Sequence, residues 1–437
     1  MRAQGHDLES IPIYKHAIEI DPNFAIAYAR VGVVYNNWGE TELAKEYSQK
    51  AYDLRDRVSE REKFYISEKY HTYVTGNRDE AINTLKAWAQ TYPNDYIPHN
   101  NLAVNYNFSG EFDASLREAQ EAVRLSPTNA SALGNLVEGF MRLGRLDEAK
   151  QTLEETLGKN PDRAVYRGYS FNIAFLRGDE ATMKRDLDWF ASKPTQTEFF
   201  DLQAGVAFTR GQFKKALEFT AKSTELMLSQ DRKENASQNE AVSGFAEAGI
   251  GRCAEATQNA AHAITLSRGK FDFSVAAIVF ASCGDTAQAQ SIADELVKRF
   301  PQETLCNGVM VPLIRGAIEN NRGRYAQALE ATQPAVRFEL GAIAGFWVNY
   351  VRGQAYLGQH SGKEAAAEYQ RILDHRNAEV FSPFYALAHL GLARASALSG
   401  DTGKSRTEYQ NFFAAWKDAD ADLPVLVQAK KEYELLK

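Results

Sequence analysis

Two asparagines, Asn101 and Asn135, stand 34 residues apart, each directly before a leucine. A primary amide donates from its nitrogen and accepts at its oxygen, so amides repeated at one register suit the backbone of an extended peptide, whatever that peptide's side chains. Other polar and aromatic side chains fall at outward-facing positions of the same kind of segment: Arg30, Asn36, Asn37, Lys63, Tyr70, Tyr73, Asn107 and Arg142. The alternative chemistry for the asparagines is internal. They could tie one helix of their own chain to the next.

The remaining chemistry-bearing residues do not assemble into a reactive site. Gly249-Ile250-Gly251 lacks the third glycine of a phosphate loop, and His375-Arg376-Asn377 lacks a catalytic-loop aspartate. Gly403-Lys404-Ser405 imitates the end of a Walker loop, but Leu398 occupies the place of its first glycine. His360, His375 and His389 fall in one region of the chain, where packing or surface roles are expected of them rather than metal binding. Cys253, Cys283 and Cys306 are odd in number, which implies no disulfide framework and makes small buried hydrophobes the expectation. No catalytic, cofactor or metal residue is therefore expected, and no enzyme.

The elements that must position these residues are marked by glycine. Gly76, Gly110, Gly144 and Gly178 follow one another at steps of 34, and Gly39, Gly211, Gly251, Gly284, Gly323 and Gly400 continue the series more loosely. A fixed period of this length marks a helix–turn–helix repeat. Five residues after the glycine stands alanine at 44, 81, 149, 216, 256, 289 and 328, small enough for two helices to approach closely. Seventeen residues after it stands proline at 22, 93, 127, 161 and 301, the first counted from Gly5, where it stops the second helix. Between these marks Leu116, Ala119 and Val123, and again Leu146, Ala149 and Leu153, recur at i, i+3 and i+7. Strand signals are scarce, and the expected fold is all-α.

With these residues in view, the chain resembles a tetratricopeptide repeat protein from end to end. The resemblance implies a right-handed α-α superhelix of about ten to eleven helix-turn-helix repeats, whose first helices line a concave groove. Asn101 and Asn135 resemble the asparagine ladders by which some such proteins hold a peptide. The segment from Leu390 to Pro424, with Ser59 to Ile66 and Leu373-Asp374-His375, is similar to a narrower group: the repeat arms downstream of bacterial serine/threonine kinases or winged-helix regulators. It departs from that group at Ser396, where the group carries an aromatic. The resemblance implies a non-catalytic scaffold that binds a peptide or protein, including a fused or associated kinase or regulator. The alternative it implies is the sensor or regulatory arm of such a protein, with the effector domain outside this chain.

Composition fits. Of 437 residues, 50 are basic and 57 acidic, a net charge of −7 that argues against nucleic acid as the main partner. No segment reaches the ~18 apolar residues of a membrane span; the longest apolar run, Ser274 to Cys283, reads as a buried first helix. Met1 to Asp7 has no apolar core, so a cytoplasmic protein is expected, or a periplasmic one if an anchor precedes it. Gly5 reads as the middle of a repeat whose first helix is missing, and we expect the chain to be the C-terminal part of a longer protein, the alternative being a natural cap formed by one helix. Spacing loosens after Gly211. The expected division is therefore a regular array over 1–228 and a less regular one over 229–437, with a hinge near 229–236 and an irregular insertion from Gln333 to Tyr350.

Overall fold

The computed structural model describes residues 9–159, 163–193 and 196–436. Gly5 and Pro161 lie outside them. Among the described residues there are helices and turns and no strand. After a single helix α1 (Ser10–Ile20), the chain forms eleven helix-turn-helix pairs, within the ten to eleven read from the glycines.

The first five pairs are α2 (Ala25–Asn37) with α3 (Thr41–Asp53), α4 (Glu60–Tyr70) with α5 (Arg78–Thr91), α6 (Tyr96–Ser109) with α7 (Phe112–Leu125), α8 (Ala130–Arg142) with α9 (Leu146–Lys159), and α10 (Ala164–Arg177) with α11 (Glu180–Ala191). Six more follow. They are α12 (Glu198–Thr209) with α13 (Phe213–Ser229), α14 (Lys233–Gly249) with α15 (Cys253–Leu266), α16 (Lys270–Ser282) with α17 (Thr286–Arg299), α18 (Val311–Asn321) with α19 (Tyr325–Thr332), α20 (Trp347–Gly358) with α21 (Gly362–Asp374), and α22 (Phe384–Leu398) with α23 (Thr402–Ala415). A last helix, α24 (Pro424–Glu434), closes the series.

Local chemistry explains the boundaries. All ten glycines of the series have positive φ, between 66° and 99°, the left-handed conformation that ends a first helix and reverses the chain. In the remaining turn, the tenth along the chain, between α20 and α21, His360 takes that conformation instead, at φ 57°. The seven alanines are each no more than 1% exposed, so the helix pairs do meet at that point. Ser115 and Ser405 stand at the equivalent place in two other pairs, each donating its hydroxyl across the pair to a backbone carbonyl, of Ala103 and Ala393, at 2.8 Å. Helices α1, α5, α7 and α17 stop just before Pro22, Pro93, Pro127 and Pro301. Ser59 opens α4 with a reciprocal capping box to Glu62.

Two compact units emerge. Unit 1 is residues 1–192 with 302–304, and unit 2 is residues 193–301 with 305–437. The stretch 229–236 lies inside unit 2, as the end of α13, a short link with Asp231 left-handed, and the first turn of α14. Residues 333–346 are irregular, a 3₁₀ helix (Gln333–Phe338) followed by turns, with Phe346 left-handed at φ 69° just before α20. Helix α16 is buried along 272–281, as its apolar run requires.

Unit 2 closes on itself. Trp416, beyond α23, is 2% exposed and packs on Phe213 of α13 with ring centroids 6.1 Å apart. Its indole N–H donates to the Thr209 carbonyl at 3.2 Å. The strap that follows continues the seam: the Asp420 N–H donates to the Gly211 carbonyl at 3.1 Å, and its carboxylate accepts from the Lys214 N–H at 2.9 Å. The last pair of the unit is thereby fastened to the first.

One correction concerns cysteine. Cys253 and Cys283 are joined in a disulfide, and Cys306 is a buried thiol outside it. Cys253 opens α15 and Cys283 follows α16, so successive turns bring together two thiols 30 residues apart.

Candidate functional site

In unit 1 the first helices of successive pairs carry two sets of side-chain hydrogen bonds, one across α4, α6 and α8 and one across α6, α8 and α10. The Asn101 amide on α6 donates to Glu68 on α4 at 3.3 Å and accepts from Asn100 at 3.1 Å. The Asn135 amide on α8 reaches back to the Asn100 carbonyl and side-chain oxygen, at 3.3 and 2.9 Å. Glu138 on α8 then gathers three neighbours: Asn107 of α6 at 3.0 Å, Arg142 at 3.1 Å, and the Tyr169 hydroxyl of α10 at 3.3 Å. Four first helices are cross-linked in this way.

Electrostatics follow from burial. Glu68 and Lys69 are buried side by side with an ion pair of 2.8 Å. Burial works against the Lys69 charge, but Glu68, Tyr73 and Tyr65 together outweigh it and hold the ammonium above the ordinary lysine range. Burial, and then the Glu138 carboxylate beside it, keeps the Tyr169 phenol well above its ordinary value. This face therefore presents fixed amides, a paired carboxylate and a protonated phenol. Val104, in the same register as Glu138 by the 34-residue spacing, leaves an apolar side chain 37% exposed among them.

The structure thus places Asn101 and Asn135 in one hydrogen-bonded set, with Glu68 and Asn100, and Asn107 and Arg142 in a second, around Glu138. The other residues singled out in the sequence lie elsewhere. Arg30 places its guanidinium over the Tyr65 ring at 4.4 Å. Lys63 is exposed and pairs with Asp56 in the link before its own helix, at 2.6 Å. Tyr70 stacks on Tyr52 of the previous pair, centroids 3.7 Å apart, and the Lys69 ammonium lies 5.4 Å from the Tyr73 ring. Asn36 and Asn37 form the last turn of α2. Sequence reasoning passed over Glu68, Glu138 and Tyr169; the 34-residue step from Asn135 to Tyr169 was the available signal. Because the asparagine donors serve neighbouring helices, Asn101→Ala with Asn135→Ala leaves Glu68 and Asn100 short of donors. The double variant should lose about 1–3 kcal/mol of stability, read as an earlier chemical-denaturation midpoint.

The corresponding helices of unit 2 are arranged differently. Phe245 of α14 meets Trp347 of α20 at 4.1 Å and Phe384 of α22 at 5.5 Å, while Phe384 meets Tyr350 at 4.7 Å. Helices three and four pairs apart thus touch through aromatic rings, and the interior of this unit is filled by its own side chains. The three histidines considered for a metal serve different partners: His375 faces the Arg371 carbonyl, His389 faces Glu408, and His360 forms a turn. Among the described residues no three His, Cys, Asp or Glu side chains gather as a metal site would require.

Glu247 of α14 gives unit 2 a pH signature. Its carboxylate is 2% exposed, accepts from Asn259 at 2.6 Å, and is pushed up by burial to a pKa of about 7. A carboxyl raised in the folded state contributes stability that is complete below its unfolded value, near 4.5, and is lost as pH rises through about 7. Melting at pH 5.5 and pH 8 should differ by a contribution on the order of 2–3 kcal/mol, with pH 8 less stable. Glu247→Gln should remove that difference by gaining stability at pH 8.

Comparison with known proteins agrees with the repeat geometry. Residues 25–57 and 109–168 each match a family model described as tetratricopeptide repeat. These two stretches are tetratricopeptide (TPR) repeats, and the other helix pairs repeat the same helix-turn-helix geometry. No curated protein sequence matches this chain. Solved structures similar to it include yeast Tom70, at 13% identity over 94% of this chain and 95% of that one, with a TM-score of 0.37. The Cut9–Hcn1 hetero-tetramer of the APC/C is similar at 13% identity over 97% and 81%, with a TM-score of 0.47. A tetratricopeptide repeat protein from Parabacteroides merdae is similar at 10% identity over 86% and 98%, with a TM-score of 0.30. No helix among the described residues is long and apolar enough to cross a membrane.

Proposed function

We propose that this protein is a non-catalytic scaffold that holds a peptide or protein segment along the first helices of unit 1. The observation carrying this reading is the contrast between the units. Helices α4, α6, α8 and α10 align half-exposed amides, a paired carboxylate and a tyrosine around Val104, whereas the first helices of unit 2 spend their facing side chains on one another. Fixed amides and one apolar contact suit an extended backbone of tolerant sequence. The inter-helix bonds serve this function by holding the helices at one register, so the face is formed before the partner arrives.

The test is to pan the full chain against a random displayed-peptide library and measure affinities of enriched peptides by fluorescence anisotropy. Val104→Glu should weaken them at least tenfold, by placing an unpaired charge against the peptide, while its melting temperature stays within a few degrees. A control, Lys150→Glu on the exposed side of α9, should bind as the parent does. Equal binding by Val104→Glu would remove unit 1 as the site.

A further inference from the structure

We infer that the Cys253–Cys283 disulfide is a redox-sensitive pin on the closure of unit 2. Three successive turns lie along the seam edge of this unit, around Gly211, Gly251 and Gly284. The strap 418–424 fastens the first two. Asp420 and Asp418 hold residues 211–214, Asp422 pairs with Lys214 at 3.0 Å and with Arg252 at 3.4 Å, and Pro424 lies against Gly251. The disulfide fastens the second turn to the third, Cys253 following Arg252 directly and Cys283 preceding Gly284 directly, with their Cα atoms 5.3 Å apart. Without it, the 250–252 turn is held to the strap by the Arg252–Asp422 ion pair, whose carboxylate is exposed, and by the contact of Gly251 with Pro424.

Both cysteines are half-exposed, so a small dithiol can reach them. Cys253 occupies the first position of α15 and adjoins Arg252, two features that favour its thiolate. Cys253 is therefore the better leaving group, and an incoming thiolate attacks the Cys283 sulfur. The Cys253–Cys283 bond breaks, a mixed disulfide forms at Cys283, and the second thiolate of the dithiol displaces it. The dithiol leaves as a cyclic disulfide. Two electrons and two protons have passed to Cys253 and Cys283, which end as thiols, and an oxidised disulfide reagent reverses the sequence. In the reduced state the 250–253 turn is released from its neighbour, Arg252 loses its fixed place, and the strap loosens over Gly211.

Hydrogen exchange of the full chain with and without dithiothreitol tests the pin, with alkylation by iodoacetamide counting accessible thiols. Before reduction, the native protein should take up no label at Cys253 or Cys283; after reduction it should take up one at each. Exchange across 416–424 and 211–214 should then accelerate about tenfold, while α6 and α8 of unit 1 are unchanged. Cys253→Ser with Cys283→Ser should show the fast strap exchange with or without dithiothreitol. Labelling before reduction, unchanged strap exchange after verified reduction, or an equal rise throughout the chain would each overturn the inference.

Discussion

Trp416→Ala should be among the most destabilising single substitutions in the chain, costing about 3–5 kcal/mol. The ring is 2% exposed, lies 5.1 Å from Phe412 and 6.1 Å from Phe213 between centroids, and its N–H serves the Thr209 carbonyl. Truncation removes that packing and strands a carbonyl where the end of unit 2 meets its beginning. Chemical denaturation should show the loss in full. Hydrogen exchange should locate it first at α12, α13 and the strap, because each repeat leans mainly on its neighbours. A loss under about 1 kcal/mol would mean that the seam is a surface contact rather than a closure.

Removal of the disulfide should cost nearly as much. Cys253 and Cys283 close a loop with a sequence separation of 30. Restricting a loop of that size in the unfolded chain contributes about 3–4 kcal/mol on the entropic account. Cys253→Ser with Cys283→Ser should therefore lower the denaturation midpoint by that amount, and dithiothreitol should bring the native protein to the same value. The doubly substituted protein should be insensitive to reductant. A response of that variant to dithiothreitol would point to Cys306 chemistry instead.

Much of the fold was legible because the repeat writes its physics locally. A left-handed turn needs glycine, a close helix crossing needs a small residue, and a proline ends a helix; all three recur in the sequence and stand where the spacing put them. The tenth pair was harder to see, since His360 takes the left-handed turn and breaks the glycine series. The candidate face was half legible. Asn101 and Asn135 declared themselves by their 34-residue step, but their partners on adjacent helices, Glu68 and Asn100, carry no sign of contact in sequence separation, nor does Glu138, which holds Asn107.

Other features depend on distant contacts that local pattern does not encode. The pairing of Cys253 with Cys283 follows from two turns stacking side by side, and counting three cysteines gave no hint of it. The filling of unit 2 follows from ring closure. Phe245, Trp347 and Phe384 look like ordinary core aromatics of three separate repeats, and only the curvature of the unit brings them together.

The central claim is that partners meet unit 1 while unit 2 is closed to them. Hydrogen-exchange mass spectrometry of the full chain, with and without a saturating library-selected peptide, tests it most directly. The account predicts slowed exchange on α4, α6, α8 and α10, and no change on α14, α16, α20 and α22. Protection on the helices of unit 2, with unit 1 unaffected, would contradict it.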